Sequence, residues 1–165
     1  MSAPSNPRFD FDSEALDVRL DLSFPADVTR VSQMVFAIMQ VVGAMECSHG
    51  HEDDIELALQ EALANAVRHG AQGDTSKTVD VKVACEAEHG MLIVVSDPGN
   101  GFDPQQIPDP MMGENLYSDH GRGIFLINRL MDQVEFRRGG TEICMRKFKK
   151  CDVNGNGTNG TNGKH

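Results

Sequence analysis

The sequence predicts a single α+β domain, a two-layer sandwich in which a mixed, mostly antiparallel sheet carries three helices on one face. Segments with an apolar period of two, or with a short continuous apolar run, are interspersed with segments of helical period. Their order, β-α-α-β-β-α-β-β, lacks the regular βαβ alternation of a doubly wound parallel sheet. A chain of 165 residues is long enough for one domain with a substantial core.

The N-terminal part of the domain predicts a strand followed by a helix. Apolar and polar residues alternate from Leu16 to Ser23, which is typical of a half-buried strand, and Pro25 ends it. Asp27 is suited to cap the helix that follows. The expected apolar face of this helix has helical spacing and consists of Val28, Val31, Met34, Val35, Ile38 and Val42.

A second helix is predicted over residues 52–69. Asp53 and Asp54 place negative charge in its first turn, where the helix dipole favours it. Gly70 is a natural C-terminal stop, because glycine readily adopts the left-handed conformation that ends many helices. The residues expected on its buried face are Ile55, Ala58, Leu59, Ala62, Leu63 and Ala66.

The second half of the chain predicts four strands, one helix and a long loop. Two strands at residues 78–86 and 91–96 are expected to pair through a tight hairpin at His89-Gly90, and the second is apolar enough to be central. Residues 102–120 have no strong periodicity, and loops of this length are usually lids or binding loops. A helix at 124–131 follows. The last two strands, at 133–137 and 141–147, are expected to pair across Gly139-Gly140.

Composition limits the class of function. The net charge of −10 argues against a general binder of nucleic acids or anionic membranes, but it leaves room for a local phosphate site. No apolar run reaches the ~18 residues of a membrane-spanning helix. The N-terminus has no apolar signal-peptide region, so we expect a cytoplasmic protein. Disordered segments at 1–13 and 150–165 are expected to flank a domain at 14–149.

The cysteine pattern predicts reduced thiols. The four cysteines, Cys47, Cys85, Cys144 and Cys151, have no C-x-x-C spacing. Proteins of a reducing compartment seldom carry disulfides. We therefore expect free thiols, two or three of them in the core.

A pair of polar residues on the second predicted helix can serve phosphoryl chemistry. Glu61 and Asn65 are one turn apart, so their side chains are neighbours. The Asn65 amide oxygen suits one position of a magnesium ion whose other ligands are phosphates and water. The Glu61 carboxylate can accept a proton from an attacking hydroxyl or water. His69 continues the same stripe, and it either approaches a phosphate or complements the helix dipole.

Two glycine-containing turns complete a possible nucleotide pocket. Asp97 follows the central strand and can accept a hydrogen bond from an exocyclic amine such as that of adenine, while Gly99 and Gly101 let the backbone approach a flat ring. Gly121-Arg122-Gly123 is expected just before a helix, where uncovered amides and the Arg122 charge can bind an anion. Each turn by itself is compatible with an ordinary loop.

Together, Glu61 with Asn65, Asp97-x-Gly99-x-Gly101 and Gly121-x-Gly123 resemble the ATP-binding motifs of the GHKL, or Bergerat-fold, superfamily. The stretches at 61–70 and 123–132 resemble its anti-sigma-factor serine/threonine kinases more closely, and the resemblance covers about residues 15–148. It implies the histidine-kinase-like ATPase fold, with a lid at about 102–120. The chain departs from the fuller glycine pattern of the last motif, because position 119 is Asp.

The resemblance also implies a role for each motif residue. Glu61 becomes the catalytic general base, and Asn65 a magnesium ligand at the ATP. The remaining residues implied to bind ATP are Asp97 at the adenine, Gly99, Gly101, Gly121, Arg122, Gly123 and Thr141. The implied activity is an ATP- and Mg-dependent protein-serine kinase that is also an anti-sigma factor. Its partners would be a sigma factor and an anti-sigma-factor antagonist, and a homodimer is expected.

Two other functions are compatible with the same motifs. A non-catalytic ATP-binding regulatory module could use the nucleotide only to shape a surface that sequesters a protein partner. The catalytic half of a histidine kinase or of a larger ATPase would need a dimerisation helix pair or a transducer domain, and residues 1–15 are expected to supply neither. Glu61 favours the kinase, because a pure binder needs no base.

Overall fold

The computed structural model describes residues 16–86, 89–103, 105 and 119–149. The expected disordered termini and most of the expected lid at 102–120 lie outside this part of the chain. Within it, the protein has the predicted α+β fold, with five strands and three α-helices.

The strands form one sheet in the spatial order β1-β2-β3-β5-β4, and every pair of described neighbours is antiparallel. The central strand is β3, whose residues 90–95 are all buried, as its apolar run predicts. The strands are β1 at Leu16–Pro25, β2 at Thr78–Glu86, β3 at Gly90–Ser96, β4 at Gln133–Arg137 and β5 at Glu142–Lys147.

Three helices cover one face of this sheet: α1 at Val31–Gly43, α2 at Glu52–Asn65 and α3 at Asp119–Leu130. Their apolar faces and the alternate residues of β2, β3 and β5 form one continuous core. All six residues predicted for the buried face of the second helix are in this core. On the other face of the sheet Leu92, Val94 and Cys144 form a small separate cluster.

The first predicted helix is present at the expected place, but the conformation of its first turn differs from the prediction. Asp27 accepts a hydrogen bond from the Thr29 backbone N at 2.9 Å, so it caps a 3-10 turn at Val28–Arg30 that precedes α1. Val28 is 46% exposed, and its assignment to the buried face is wrong, because the tighter turn rotates it away from the core. The other five predicted positions are buried.

The predicted hairpin at His89-Gly90 is displaced. Gly90 already pairs with Glu86 as the first residue of β3, so the connection consists of residues 87–89. Residues 87 and 88 lie outside the described part of the chain.

The third helix begins five residues earlier than predicted, at Asp119. Gly121, Arg122 and Gly123 are therefore in its first turns rather than in a loop before it. Gly123 packs closely against the ends of the Glu61 and Asn65 side chains, which would have to shift to admit a Cβ there.

The expectation of reduced thiols is wrong for two cysteines, because Cys47 and Cys85 form a disulfide. Cys47 lies in a short 3-10 turn between α1 and α2, and Cys85 lies on β2. The bond ties this connection to the sheet. Cys144 is free and buried, and burial raises the pKa of its thiol to about 12.

Candidate functional site

A cavity of about 450 Å³ opens between the C-terminal end of α2, the end of β3 and the turn before β5. Five of the predicted ATP-binding residues line it: Asn65, Asp97, Gly99, Gly101 and Thr141. These five residues are up to 76 positions apart in the sequence, from Asn65 to Thr141.

The end of α2 forms one wall of this cavity through a change of helix type. After Asn65 the chain continues as a π-helical turn at Ala66–Gly70, closed by a 2.8 Å hydrogen bond from the Ala71 N to the Ala66 O. Single π-turns are often found at functional sites. This turn brings Gly70 directly against the Asp97 side chain, and a Cβ at Gly70 would overlap it.

Asp97 is fixed by its neighbours but keeps an acceptor available. Its backbone N donates to the Thr141 O at 2.8 Å, and its Oδ1 accepts from the Gly99 N at 2.8 Å. The Oδ2 atom accepts no hydrogen bond from the residues that the structure describes. Burial raises the pKa of Asp97 above its ordinary value, and the Gly99 bond opposes this effect in part. A half-buried carboxylate with an available oxygen suits an adenine amino group.

Another wall of this cavity is formed by two turns that pack against each other, one at Gly101 and one at Gly139. Gly101 has a φ of +74°, which residues with a side chain rarely adopt, and it packs on the Gly139 carbonyl. Phe102 beside it meets Phe136 edge-to-face with 5.3 Å between ring centroids. Both rings line the cavity, so this side offers an apolar surface to a flat base.

A second cavity of about 260 Å³ lies between α2 and α3. It is lined by Glu61, Arg122 and Gly123, which do not line the first, and it shares Asn65 and His69 with the first cavity. A Cβ built on Gly123 would be 2.9 Å from the Glu61 Oε2 and 3.1 Å from the Asn65 Nδ2. The predicted base and metal ligand therefore both face the first turn of α3.

The remaining motif residues are at the start of α3. Gly121 and Gly123 are buried and Arg122 is exposed. They lie near the start of α3, and backbone amides at the start of a helix can bind an anion. Gly121 itself lines neither cavity.

Sequence reasoning missed several residues of the two cavities. Phe136 and Lys77 line the first and Arg68 the second. No local motif marks them, because they reach the site through strand pairing or helix position. His69, which the sequence left between two interpretations, lies where the two cavities meet.

The donor set fits a magnesium ion that is bound together with phosphates. Among the described residues, no group of three or more His, Cys, Asp and Glu side chains could hold a metal by itself. Asn65 offers one hard oxygen at the junction of the cavities, and Mg²⁺ commonly takes one or two protein ligands beside phosphate and water oxygens. None of the described helices is both long and apolar enough to cross a membrane.

The sheet, the helical layer and the glycine-lined cavity at Asp97 define an α+β nucleotide-binding domain. The chain belongs to the histidine kinase-like ATPase domain family, whose model matches residues 24–147. Membership of this family implies that the nucleotide is ATP.

The chain is also similar to curated serine-protein kinases. Serine-protein kinase RsbW of Staphylococcus aureus strain MSSA476 is 29% identical over 147 residues, which cover 84% of this chain and 92% of the relative. Serine-protein kinase RsbW of Bacillus licheniformis is 28% identical over 139 residues, or 78% of this chain and 84% of the relative. Both alignments extend over most of the domain.

Proposed function

We propose that this protein is an ATP- and Mg-dependent protein-serine kinase and an anti-sigma factor. It phosphorylates an anti-sigma-factor antagonist and sequesters a sigma factor. The proposal is supported by the family, by the relatives named serine-protein kinase, and by the resemblance of the motifs to anti-sigma-factor kinases.

The observation that carries the proposal is the position of Glu61. Its carboxylate lies one helical turn from Asn65 and next to Gly123, in the second cavity rather than in the first. A purely structural nucleotide needs no carboxylate at this point. A base that lies outside the nucleotide cavity is in a position to take a proton from a second molecule.

ATP binding follows from the first cavity. In our proposal Asp97 accepts from the adenine amino group, and the backbone at Gly99 and Gly101, with Thr141, borders the base. The phosphates extend toward Asn65, and Gly121, Arg122 and Gly123 at the start of α3 complement their charge. Asn65 would hold a magnesium ion, which neutralises charge on the phosphates.

The reaction is an in-line displacement at the γ-phosphorus. The serine oxygen of the acceptor forms a bond to phosphorus while the bond to the β,γ-bridging oxygen breaks, and ADP leaves. Glu61 takes the proton of the serine hydroxyl. Most of the rate enhancement comes from positioning and charge neutralisation, and the base adds a further factor.

The biological setting forms part of the same proposal. The kinase works in the cytoplasm as a homodimer. Its partners are a sigma factor and the antagonist that carries the serine. Phosphorylation stops the antagonist from releasing the sigma factor.

A transfer assay tests the activity. The full-length protein is mixed with [γ-³²P]ATP, magnesium chloride and the antagonist, with the Ser→Ala antagonist as the control. We expect label on the serine of the normal antagonist and none on the variant. If protein that binds ATP transfers no label but still sequesters its partner, the non-catalytic regulatory module is the correct function instead.

A further inference from the structure

Arg68 is a cation at the second cavity that the proposed chemistry does not use. It follows Glu61 by seven residues and Asn65 by three, so all three project from the same side of α2 and its extension. The three line the second cavity together. Arg68 is exposed, and it does not line the first cavity.

The side chain of Arg68 has no partner within the described protein. It forms no hydrogen bond or ion pair there, whereas Arg30, Arg137 and Arg146 each pair with a carboxylate. The chain as a whole carries a net charge of −10, so acidic groups are plentiful. An exposed guanidinium without a partner among the described residues can bind a carboxylate from another molecule.

The arrangement of the two cavities indicates which molecule would supply the carboxylate that binds Arg68. They share Asn65 and His69 as lining residues, and our proposal places the γ-phosphate beside Asn65. An in-line attack needs the nucleophile on the side opposite the leaving ADP. Because ADP occupies the first cavity, the acceptor serine has to enter through the second, past Arg68.

We propose that Arg68 is a specificity residue that binds an acidic side chain next to the target serine of the protein acceptor. This inference rests on the proposed kinase function. Arg122 also lines the second cavity, but it belongs to α3 and has the phosphates as its partner in the proposed function, so the two arginines have different roles. Arg68 selects the acceptor, and Glu61 then takes its proton.

Binding of the antagonist is the direct test, measured with full-length protein loaded with a non-hydrolysable ATP analogue. Arg68→Glu reverses the charge, and Lys82→Glu makes the same reversal at an exposed position of β2 as the control. We expect Arg68→Glu to weaken antagonist binding about tenfold or more, while the Kd for ATP stays within about twofold and the thermal melting temperature is unchanged. Lys82→Glu should have no effect on either affinity.

A charge swap makes the test specific. An antagonist in which the acidic residue beside the serine is changed to arginine should bind poorly to the wild type and regain affinity for Arg68→Glu. Unchanged antagonist binding by Arg68→Glu would overturn the inference, as would an equal loss of ATP affinity, which would assign Arg68 to the nucleotide. Absence of phosphate transfer by the wild type, with this binding pattern intact, would refute only the kinase function.

Discussion

Asp97 and Glu61 are carboxylates with different surroundings. Asp97 is half-buried in the first cavity, where burial raises its pKa, and Glu61 lies in the second cavity beside the start of α3. In our account Asp97 must be ionised to accept from adenine. The pH dependence of ATP binding should therefore follow Asp97.

The change of ATP affinity with pH that we predict from Asp97 has a definite direction. Lowering the pH through its raised pKa protonates the carboxylate, so ATP affinity should fall as the solution becomes acidic. At neutral pH Asp97→Asn should weaken ATP binding about 10- to 100-fold, because a hydrogen bond to a charged group is lost. The ratio of wild-type to variant affinity, measured by calorimetry from pH 7.5 to 4.5, should shrink toward low pH.

Because both proteins are measured at the same pH, the effect of every other titrating group, including the phosphates of the nucleotide, cancels from the ratio of their ATP affinities. A ratio that stays constant over this pH range would contradict the assignment of Asp97 to the base.

At the residue scale, the sequence predicted which residues belong to the site better than it predicted which of them contact one another. Asp97, Gly99 and Gly101 share one cavity, as their motif indicates, and Thr141, which only the family resemblance implied, also lines it. The proximity of Glu61 to Gly123 could not be foreseen, because it depends on how α2 packs on α3. Phe136 enters the site through its place beside β5, which no local pattern encodes.

At the scale of elements, the junction of α2 with the Asp97 turn is critical. The π-turn at Ala66–Gly70 positions Gly70 against the Asp97 side chain. Gly99 in turn packs on the Gly70 carbonyl. Gly70 is therefore required for close packing, and it does not adopt the left-handed conformation expected of a helix-ending glycine. A side chain there would displace the carboxylate.

Gly70→Ala should lower the free energy of unfolding by about 1–3 kcal/mol, because the added methyl overpacks the junction. It should also lower ATP affinity by moving Asp97. Gly43→Ala at the end of α1 is the matched control, because a Cβ added at Gly43 would have no atom within 4 Å. Urea unfolding and ATP titration of both variants make the comparison, and equal behaviour of the two would refute this view of the junction.

Most elements were predictable because their apolar periods are strong. The five strands and the cores of the helices follow from alternation and helical spacing. The beginning of α3 was not predictable, since Gly121 and Gly123 suggest a loop, while the close approach of Gly123 to Glu61 and Asn65 on α2 depends on tertiary packing. The π-turn has no compositional signal of its own.

At the scale of the whole molecule, the disulfide joins the helical layer to the sheet. Cys47 and Cys85 are 38 residues apart and both lie in the main core. Closing a loop of this length stabilises a fold by roughly 4 kcal/mol through the unfolded state. The sequence could not reveal the bond, because it depends on the proximity of two distant segments.

Reduction should therefore destabilise the protein. Adding dithiothreitol is expected to lower the free energy of unfolding by roughly 4 kcal/mol, and it should leave a Cys47→Ser/Cys85→Ser double variant unaffected. Denaturant titrations with and without the reductant measure this. Four free thiols in unreduced, guanidine-unfolded wild type would show that the bond is absent.

The central claim is that Glu61 is the base for transfer of phosphate from ATP to a protein serine. Single-turnover transfer by Glu61→Gln, measured beside its ATP affinity, tests it most directly. We predict a rate at least 100-fold below that of the wild type with an ATP Kd within about threefold, since removal of a general base slows chemistry without removing the binding contacts at Asp97. A variant that transfers phosphate at the wild-type rate would contradict the account.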